Sequence, residues 1–384
     1  YSQHQRLKDS VCTHTHTHTH THTHPFSSVL SNVNLFLFLR ADKYGPVYRL
    51  NSFHYIVIEV HCPEATKTML MSPKYLKDPF VSLFFPLIQK EGLMQGSPFQ
   101  KAIDQCLKGM VFYLRDPFFT LFPKNWKTVQ QTKDAADLLR KTGEKWIQKR
   151  KTAIENGEDV PKDILTQILK TAEEENVNNT KDHEQMLDNF VTFFIAGQET
   201  TANQLSFAIM ELGRHPEIYK RAKAEVDEIL GTKRDISYED LGKFTYLSQV
   251  LKETLRLYPT APGTSRWLHE DMVINGLKIP GGCAVIFSSY VSQRLEKFFK
   301  DPLKFDPERF NVNAPKPYYC YYPFALGPRT CLGQVFSQME AKVVLAKLLQ
   351  RFEFSLVPGQ SFDIKDTGTL RPKSGVICYI KHCS

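Results

Sequence analysis

The sequence predicts a mainly helical protein with small β-sheets near both ends of its globular part. Residues 186–212 form a long apolar segment with helical spacing that ends before Pro216. Residues 332–352 repeat apolar side chains at the same helical spacing. Residues 47–60 and 259–287 read instead as short strands, the second stretch being interrupted by Gly and Pro turns.

The other predicted elements are shorter. Further helices are predicted at residues 63–71, 135–154, 164–172, 218–230, 238–241 and 247–257. Residues 354–380 are predicted to form strands. Gly96-Ser97-Pro98 is predicted to break regular structure, and residues 173–182 to form a solvated connector.

Composition narrows the class of protein. The chain of 384 residues is 42% hydrophobic, which is enough for a large core, and 23% charged. Lys and Arg exceed Asp and Glu by 49 − 41 = 8. This mild excess argues against a nucleic-acid-binding protein; it suits an acidic partner, an anionic membrane surface or simply a solvated face. The eight cysteines are scattered without CxxC pairs, which favours a reducing compartment.

The domain prediction separates residues 1–40 from residues 41–384. The first part is a low-complexity leader in which residues 13–24 alternate Thr and His six times. We expect disorder there, with a histidine-rich metal-binding protein as the alternative interpretation. No stretch reaches the roughly 18 to 20 apolar residues that span a bilayer. The globular domain is predicted for residues 41–384.

The strongest motif runs from Phe324 to Gly333 and contains Cys331. Its glycines, Gly327 and Gly333, permit a tight loop that a flat cofactor can approach closely. The cysteine precedes a long predicted helix, whose N-terminal N–H groups stabilise a thiolate. Arg329 can form charge-assisted hydrogen bonds with an anionic group of that cofactor. An isolated cysteine is more often inert, but the ten-residue string favours a metal-binding thiolate.

A second motif, Ala196-Gly197-Gln198-Glu199-Thr200-Thr201, lies inside the long apolar helix. Gly and Thr lower helix propensity, and a Thr hydroxyl can bond to a carbonyl one turn back. We therefore expect a locally loosened helix with a hydroxyl and a carboxylate suited to proton delivery. A tolerated polar kink in a core helix is an equally good interpretation of this string alone.

The third and fourth motifs are Glu253-Thr254-Leu255-Arg256 and Pro307-Glu308-Arg309-Phe310. Glu253 and Arg256 share one helical face, and Arg309 could complete a cluster with them. An exposed ion pair contributes little. A buried and fully hydrogen-bonded cluster would instead fix the loop that leads to Cys331.

Together and in this order, the four motifs resemble the cytochrome P450 family from about residue 41 to the C terminus. The resemblance implies the P450 fold and a haem b cofactor whose iron is bound axially by Cys331. It also implies oxygen activation by Thr200 and Glu199, and haem propionate binding by Arg329 and Arg266. The remaining residues that it places beside haem are Phe324, Gly327, Gly333, Ala196 and Gly197.

Closer similarity in three stretches narrows the expected substrate. Residues 187–218, 246–258 and 314–360 are most similar to family members that hydroxylate the cholesterol side chain at C24. That implies a sterol substrate, O2 and electrons that reach the haem from NADPH through NADPH–cytochrome P450 reductase. It also implies association with the cytosolic face of the endoplasmic reticulum membrane, and no nucleic acid. The predicted substrate pocket comprises Ile195, Ala196, Pro262, Thr264 and Leu370. The predicted reductase surface comprises Lys342, Lys347 and Arg351, which are otherwise ordinary surface residues.

The chain departs from the family between Gly96 and Ser97, where several helices are predicted to be missing. The family has a Trp-x-x-x-Arg helix in that region, which binds a haem propionate. Trp146 and Arg150 match its spacing, but Arg150 lies only 200 − 150 = 50 residues before Thr200, too close to be that helix. An inactive or incomplete remnant that binds no haem is therefore the alternative hypothesis.

Overall fold

The computed structural model describes residues 33–52, 55–75, 96–115, 118–174, 180–316 and 318–383. The chain divides into two compact units. The first comprises Tyr1–Asp78 and Thr200–Ser384, and the second comprises Pro79–Glu199.

Helices dominate both units, and the described strands all belong to the first. The helices are α1 Val33–Tyr44, α2 Pro63–Leu70, α3 Gly96–Arg115, α4 Trp126–Glu155, α5 Ile164–Glu174, α6 Thr180–Arg214, α7 Pro216–Leu230, α8 Tyr238–Lys243, α9 Thr245–Leu257, α10 Ser289–Ser292 and α11 Gln334–Arg351. The strands are β1 Val47–Ser52, β2 Tyr55–Val60, β3 Gly263–Leu268, β4 Met272–Ile274, β5 Leu277–Ile279, β6 Cys283–Ser288, β7 Phe352–Leu356, β8 Ile364–Asp366, β9 Leu370–Pro372 and β10 Cys378–His382.

A four-stranded sheet of order β1-β2-β6-β3 organises one side of the first unit. The β1–β2 and β3–β6 pairs are antiparallel, whereas β2 and β6 are parallel. Ile58, Val285 and Phe287 of this sheet are fully buried, and Leu326 from the cysteine loop packs against the same apolar cluster. The sheet core therefore supports the loop that carries Cys331.

The larger core of the first unit lies among helices. It contains Phe207 of α6, Val250 of α9 and Leu345 of α11, each fully buried. These side chains recur at helical spacing along their elements, which gives each helix one apolar face. Helices α9 and α11, which carry or follow the predicted site residues, are thus held on a common core.

The second unit is helical in its described residues. Ile103 of α3, Ile147 of α4 and Leu187 of α6 belong to its core. Arg140 of α4 is buried and pairs with both Glu184 and Asp188 of α6. Its cation is paired with two carboxylates, as a buried charge requires.

The prediction of a mainly helical fold with small sheets is confirmed, and most predicted elements are present with shifted bounds. Helix α3 was missed because Gly96-Ser97-Pro98 was predicted to break regular structure. These residues form the first turn of the helix, where proline needs no N–H donor and is tolerated. The last long helix begins at Gln334 rather than Leu332, since Gly333 is its N-cap.

The predicted domain boundary at residue 40 falls inside helix α1. Residues 33–40 belong to α1, and Leu37 lies in the core of the first unit. The predicted connector also ends early, because α6 begins at Thr180. The Thr-His tract, residues 13–24, lies outside the described residues. Among the helices that the structure describes, none combines the length and apolar character needed to cross a membrane.

Candidate functional site

Cys331 lies in a tight loop between the 3-10 turn Gly327–Arg329 and helix α11. Its backbone N–H donates to the Phe324 carbonyl at 2.8 Å, and the Thr330 N–H donates to the Gly327 carbonyl at 2.9 Å. These bonds fix the loop, while the Cys331 side chain remains exposed. The sulfur is therefore accessible and lies just before the N-terminus of a long helix.

The two glycines of the loop have different structural requirements. Gly327 has φ +69°, and a Cβ there would lie 2.3 Å from the Leu70 carbonyl oxygen at the end of α2. Only glycine allows this packing. At Gly333 a Cβ would lie 3.9 Å from the Cys331 sulfur, which is an ordinary contact. Glycine at that position keeps the surface beside the thiol open.

Three exposed apolar side chains follow the exposed cysteine in the chain. Leu332, Val335 and Phe336 are 81%, 67% and 60% exposed, respectively. Leu332 directly follows Cys331, and Val335 and Phe336 lie in the first turn of α11. Exposed apolar patches of this kind mark binding sites, and a flat, largely apolar cofactor would cover this one.

Arg266 on β3 supplies the polar part of the site. Its side chain is fully buried, and its Nη1 donates to Thr264 Oγ1 at 3.1 Å and to the Ser265 carbonyl at 2.8 Å. Within the described part of the chain, its Nε and Nη2 atoms have no hydrogen-bond partner. Burial, together with the positive charge of Arg329, lowers the pKa of Arg266. Two neighbouring cations, one of them with a vacant donor edge, fit the carboxylates of a haem.

Helix α6 carries the second predicted motif. Glu199 is buried, Thr200 is half-buried, and Ala196 and Gly197 are exposed. The helix runs without interruption from Thr180 to Arg214. The residues of this motif up to Glu199 belong to the second unit and Thr200 to the first.

The structure brings Glu253, Arg256 and Arg309 together. Arg256 Nε and Nη2 donate to the two carboxylate oxygens of Glu253 at 2.7 and 2.8 Å. Arg309 Nε lies 3.4 Å from Glu253 Oε1, which also accepts the Asp306 N–H. Desolvation raises the pKa of Glu253, although Arg256 opposes this effect.

Gln293 was not predicted, and it links this cluster to the cysteine loop. Its amide nitrogen donates to the carbonyls of Leu255 and Arg256, both at 3.0 Å, and its amide oxygen accepts the Tyr322 N–H at 3.1 Å. Tyr322 lies at the start of the segment that leads to Cys331. Nothing in the sequence around Gln293 indicates this role, because its partners are distant in the chain.

The predicted pocket residues have different environments. Ile195 is buried in the core of the second unit, and Leu370 is buried in the first with its N–H donating to the Thr260 carbonyl. Pro262 is half-buried, and the Thr264 hydroxyl accepts from Arg266. None of the five lines the open cavity of about 490 Å³ in the first unit. That cavity is bounded by Phe38, Arg294, Leu295, Glu296, Asp301, Pro302, Leu303 and Lys304.

The proposed reductase surface is only partly available. Lys342 Nζ donates to the Leu241 carbonyl at 3.0 Å, and Lys347 Nζ donates to the Lys233 carbonyl at 3.2 Å. Arg351 is exposed. Two of the three cations are therefore engaged in the packing of their own unit.

Comparison with known proteins identifies the family to which the chain belongs. The cytochrome P450 family model matches residues 89–379, well over half of the chain. The chain belongs to the cytochrome P450 family. Within this cytochrome P450, the match includes Arg266, Cys331 and the Glu253 cluster.

The relatives of this cytochrome P450 are diverse. It is 34% identical over 273 residues to 11-oxo-beta-amyrin 30-oxidase from Glycyrrhiza uralensis, covering 68% of this chain and 52% of the relative. It is 36% identical over 225 residues to cytochrome P450 4V2 from Rattus norvegicus, covering 57% and 42%. With cytochrome P450 3A11 from Mus musculus it shares 37% over 213 residues, covering 52% and 42%. The chain thus matches about half the length of these curated relatives.

Proposed function

We propose that this cytochrome P450 is a haem-thiolate monooxygenase in which Cys331 binds the haem iron. The observation that supports this most strongly is the buried donor edge of Arg266, which has no hydrogen-bond partner among the described residues and belongs to the same unit as the exposed Cys331 thiol. When bound, haem supplies the iron chemistry that inserts one oxygen atom of O2 into a substrate. The electrons come from NADPH through a reductase.

Each of the site residues has a defined part in this proposal. Cys331 presents its sulfur at the start of α11, and the backbone bond to Phe324 holds it there. Arg266 and Arg329 bind the carboxylates of the cofactor. Glu199 and Thr200 hold and move protons toward the oxygen-binding side. Leu332 and Phe336 would exclude water from the sulfur once the cofactor covers them.

For the substrate we propose a sterol, with hydroxylation of cholesterol at C24 as the specific reaction. The support is the similarity of residues 187–218, 246–258 and 314–360 to enzymes of that specificity. One relative is named for the oxidation of 11-oxo-beta-amyrin at position 30, which makes that compound the natural competitor in a binding assay.

We also propose association with the endoplasmic reticulum membrane. The second unit exposes Phe118, Leu121, Phe122 and Trp126 in one short stretch, and Lys124 lies over the Phe122 ring. Aromatic side chains interleaved with lysine suit the interface of an anionic bilayer. Vesicle flotation of the chain, compared with a Leu121→Ser, Trp126→Ser variant, tests this surface.

The haem proposal is tested by the carbon monoxide difference spectrum of the reduced, purified chain. A strongly red-shifted Soret band that disappears in Cys331→Ala establishes thiolate ligation. Cys320→Ala is the matched control, because Cys320 is buried in the same unit and should leave the band unchanged. Absence of haem, or a band that Cys331→Ala leaves unchanged, supports instead the alternative hypothesis of a remnant that binds no haem.

The substrate proposal is tested by spectral titration of the ferric protein. Cholesterol should produce a saturable shift of the Soret band and, with reductase and NADPH, a C24-hydroxylated product. A shift with 11-oxo-beta-amyrin but not with cholesterol would reassign the substrate while leaving the haem proposal intact.

A further inference from the structure

Thr264 was predicted to line a substrate pocket, but its side chain is hydrogen-bonded to Arg266. Thr264 and Arg266 are two residues apart on β3 and therefore lie on the same face of the strand. The Thr264 hydroxyl oxygen accepts a hydrogen bond from Arg266 Nη1 at 3.1 Å. The same Nη1 donates to the Ser265 carbonyl at 2.8 Å.

These two contacts use both hydrogens of Nη1. A guanidinium has five N–H donors in a rigid plane, so the bonds at Nη1 also fix the direction of the opposite edge. That edge consists of Nε and Nη2, neither of which has a hydrogen-bond partner among the residues described. Two parallel N–H groups on one edge match the two oxygens of a carboxylate.

The chain contains an internal reference for this geometry. In Arg256, which is also fully buried, the same Nε and Nη2 edge holds the Glu253 carboxylate at 2.7 and 2.8 Å. In Arg266 the same edge is equally buried, but no carboxylate of the described residues meets it. An anion of carboxylate shape would complete it.

We propose that Thr264 is a positioning residue that orients Arg266 toward a haem carboxylate, rather than a residue that contacts substrate. This inference rests on the proposed haem-thiolate function and assigns a role that the motifs do not. Because Arg266 is buried, losing one acceptor at Nη1 leaves a donor unsatisfied, and the guanidinium turns to find another. The Nε and Nη2 edge then no longer faces the cofactor.

The test is a haem titration of the haem-free full chain, followed by Soret absorbance. Thr264→Val keeps the shape of the side chain but removes the acceptor, whereas Thr264→Ser retains it. Ser265→Ala is the matched control, since Arg266 bonds to the Ser265 backbone carbonyl and not to its hydroxyl. We expect Thr264→Val to weaken haem binding about fivefold to tenfold. Thr264→Ser and Ser265→Ala should stay within about twofold of the unmodified chain.

A second ligand separates carboxylate recognition from packing. The dimethyl ester of haem has the same ring and iron but no negative charge on its propionates. If Thr264 acts through Arg266, Thr264→Val weakens binding of haem and leaves binding of the ester unchanged. Equal weakening of both ligands would show a packing role and overturn the proposal.

The remaining outcomes are also decisive. Unchanged haem affinity in Thr264→Val, combined with an altered sterol-induced shift, would return Thr264 to the substrate pocket. Failure of the unmodified chain to bind haem would overturn the proposed function and this inference together. Normal haem binding by every variant would overturn the inference alone.

Discussion

Arg256 and Arg266 are both fully buried in the first unit, but their surroundings differ. Arg256 holds the Glu253 carboxylate and also donates to the carbonyls of Gln293 and Pro302. Among the residues that the structure describes, Arg266 donates to Thr264 and to a backbone carbonyl, and the charge that lowers its pKa further is that of another cation, Arg329. A buried cation with a complete set of partners fixes the fold, whereas one with a vacant edge is prepared for an anion that binds later.

The largest expected effect on stability is at the buried cluster of Glu253 and Arg256. Glu253→Gln keeps the shape of the side chain but leaves Arg256 as a buried, unpaired charge. We expect the free energy of unfolding to fall by about 3–5 kcal/mol, because breaking a buried pair by removing one partner is strongly destabilising. Chemical denaturation monitored by circular dichroism measures this change.

The matched control removes a carboxylate from an exposed pair. Glu270 bonds to Lys74, and both side chains are mostly exposed to solvent. Glu270→Gln should lower stability by less than about 1 kcal/mol. Similar losses in the two variants would mean that the Glu253 cluster is not specially stabilising.

The same substitution at the two arginines should have opposite effects on the haem-free chain. Arg256→Met removes the partner of buried Glu253 and destabilises the fold. Arg266→Met removes a buried cation that pairs with no carboxylate in the described part of the chain, so we expect stability to rise by about 1–3 kcal/mol. Haem affinity should fall in Arg266→Met. Thermal melts and haem titrations of both variants measure these changes. Destabilisation of both variants would contradict the proposed difference between the two arginines.

Glu59 extends the comparison to a buried acid that pairs with no Lys or Arg among the described residues. Its side chain is fully buried on β2, and its Oε2 lies 3.5 Å from His61 Nε2. Burial raises the pKa of Glu59 to about 8 and lowers the pKa of His61 to about 3. Both groups are therefore neutral in the folded chain at slightly acidic pH.

This pair predicts a specific dependence of stability on pH. The ordinary pKa of Glu is 4.5, so between pH 4.5 and 8 the folded state holds a proton at Glu59 that the unfolded state has lost. Stability therefore falls as pH rises through this range, by up to about 1.4 kcal/mol per pH unit. His61 has the opposite effect below its ordinary pKa of 6.5, which leaves pH 6.5 to 8 as the window in which Glu59 acts alone.

Chemical denaturation at several pH values tests whether stability falls between pH 6.5 and 8. Glu59→Gln should abolish the loss of stability between pH 6.5 and 8. Glu64→Gln is the control, because Glu64 is exposed a few residues away. A slope that persists in Glu59→Gln would assign the pH dependence to another group.

The sequence predicted those features that are encoded locally. The helix containing Glu253 and Arg256 follows from spacing, and the segment around Cys331 follows from a dense motif. Helix α3 was missed because Pro98 was interpreted as a helix breaker, although the first turn of a helix accepts proline. The Thr264 contact could not be predicted, since the alternation of a strand gives the shared face but not which guanidinium edge remains vacant.

The smallest expected effect concerns how α9 begins. Its N-cap residue, Phe244, has no capping side chain, and the Glu225 carboxylate of α7 instead accepts the N–H groups of Tyr246 and Leu247 at 2.6 and 2.8 Å. Glu225→Gln weakens these charge-assisted bonds, so we expect a loss of about 1 kcal/mol in unfolding free energy. Glu228→Gln, an exposed change on the same helix, separates the cap from a general charge effect. Because α9 carries Arg256 but not Arg266, the Glu225 variant should retain its haem affinity, and weakened haem binding would show that the two arginines are not independent.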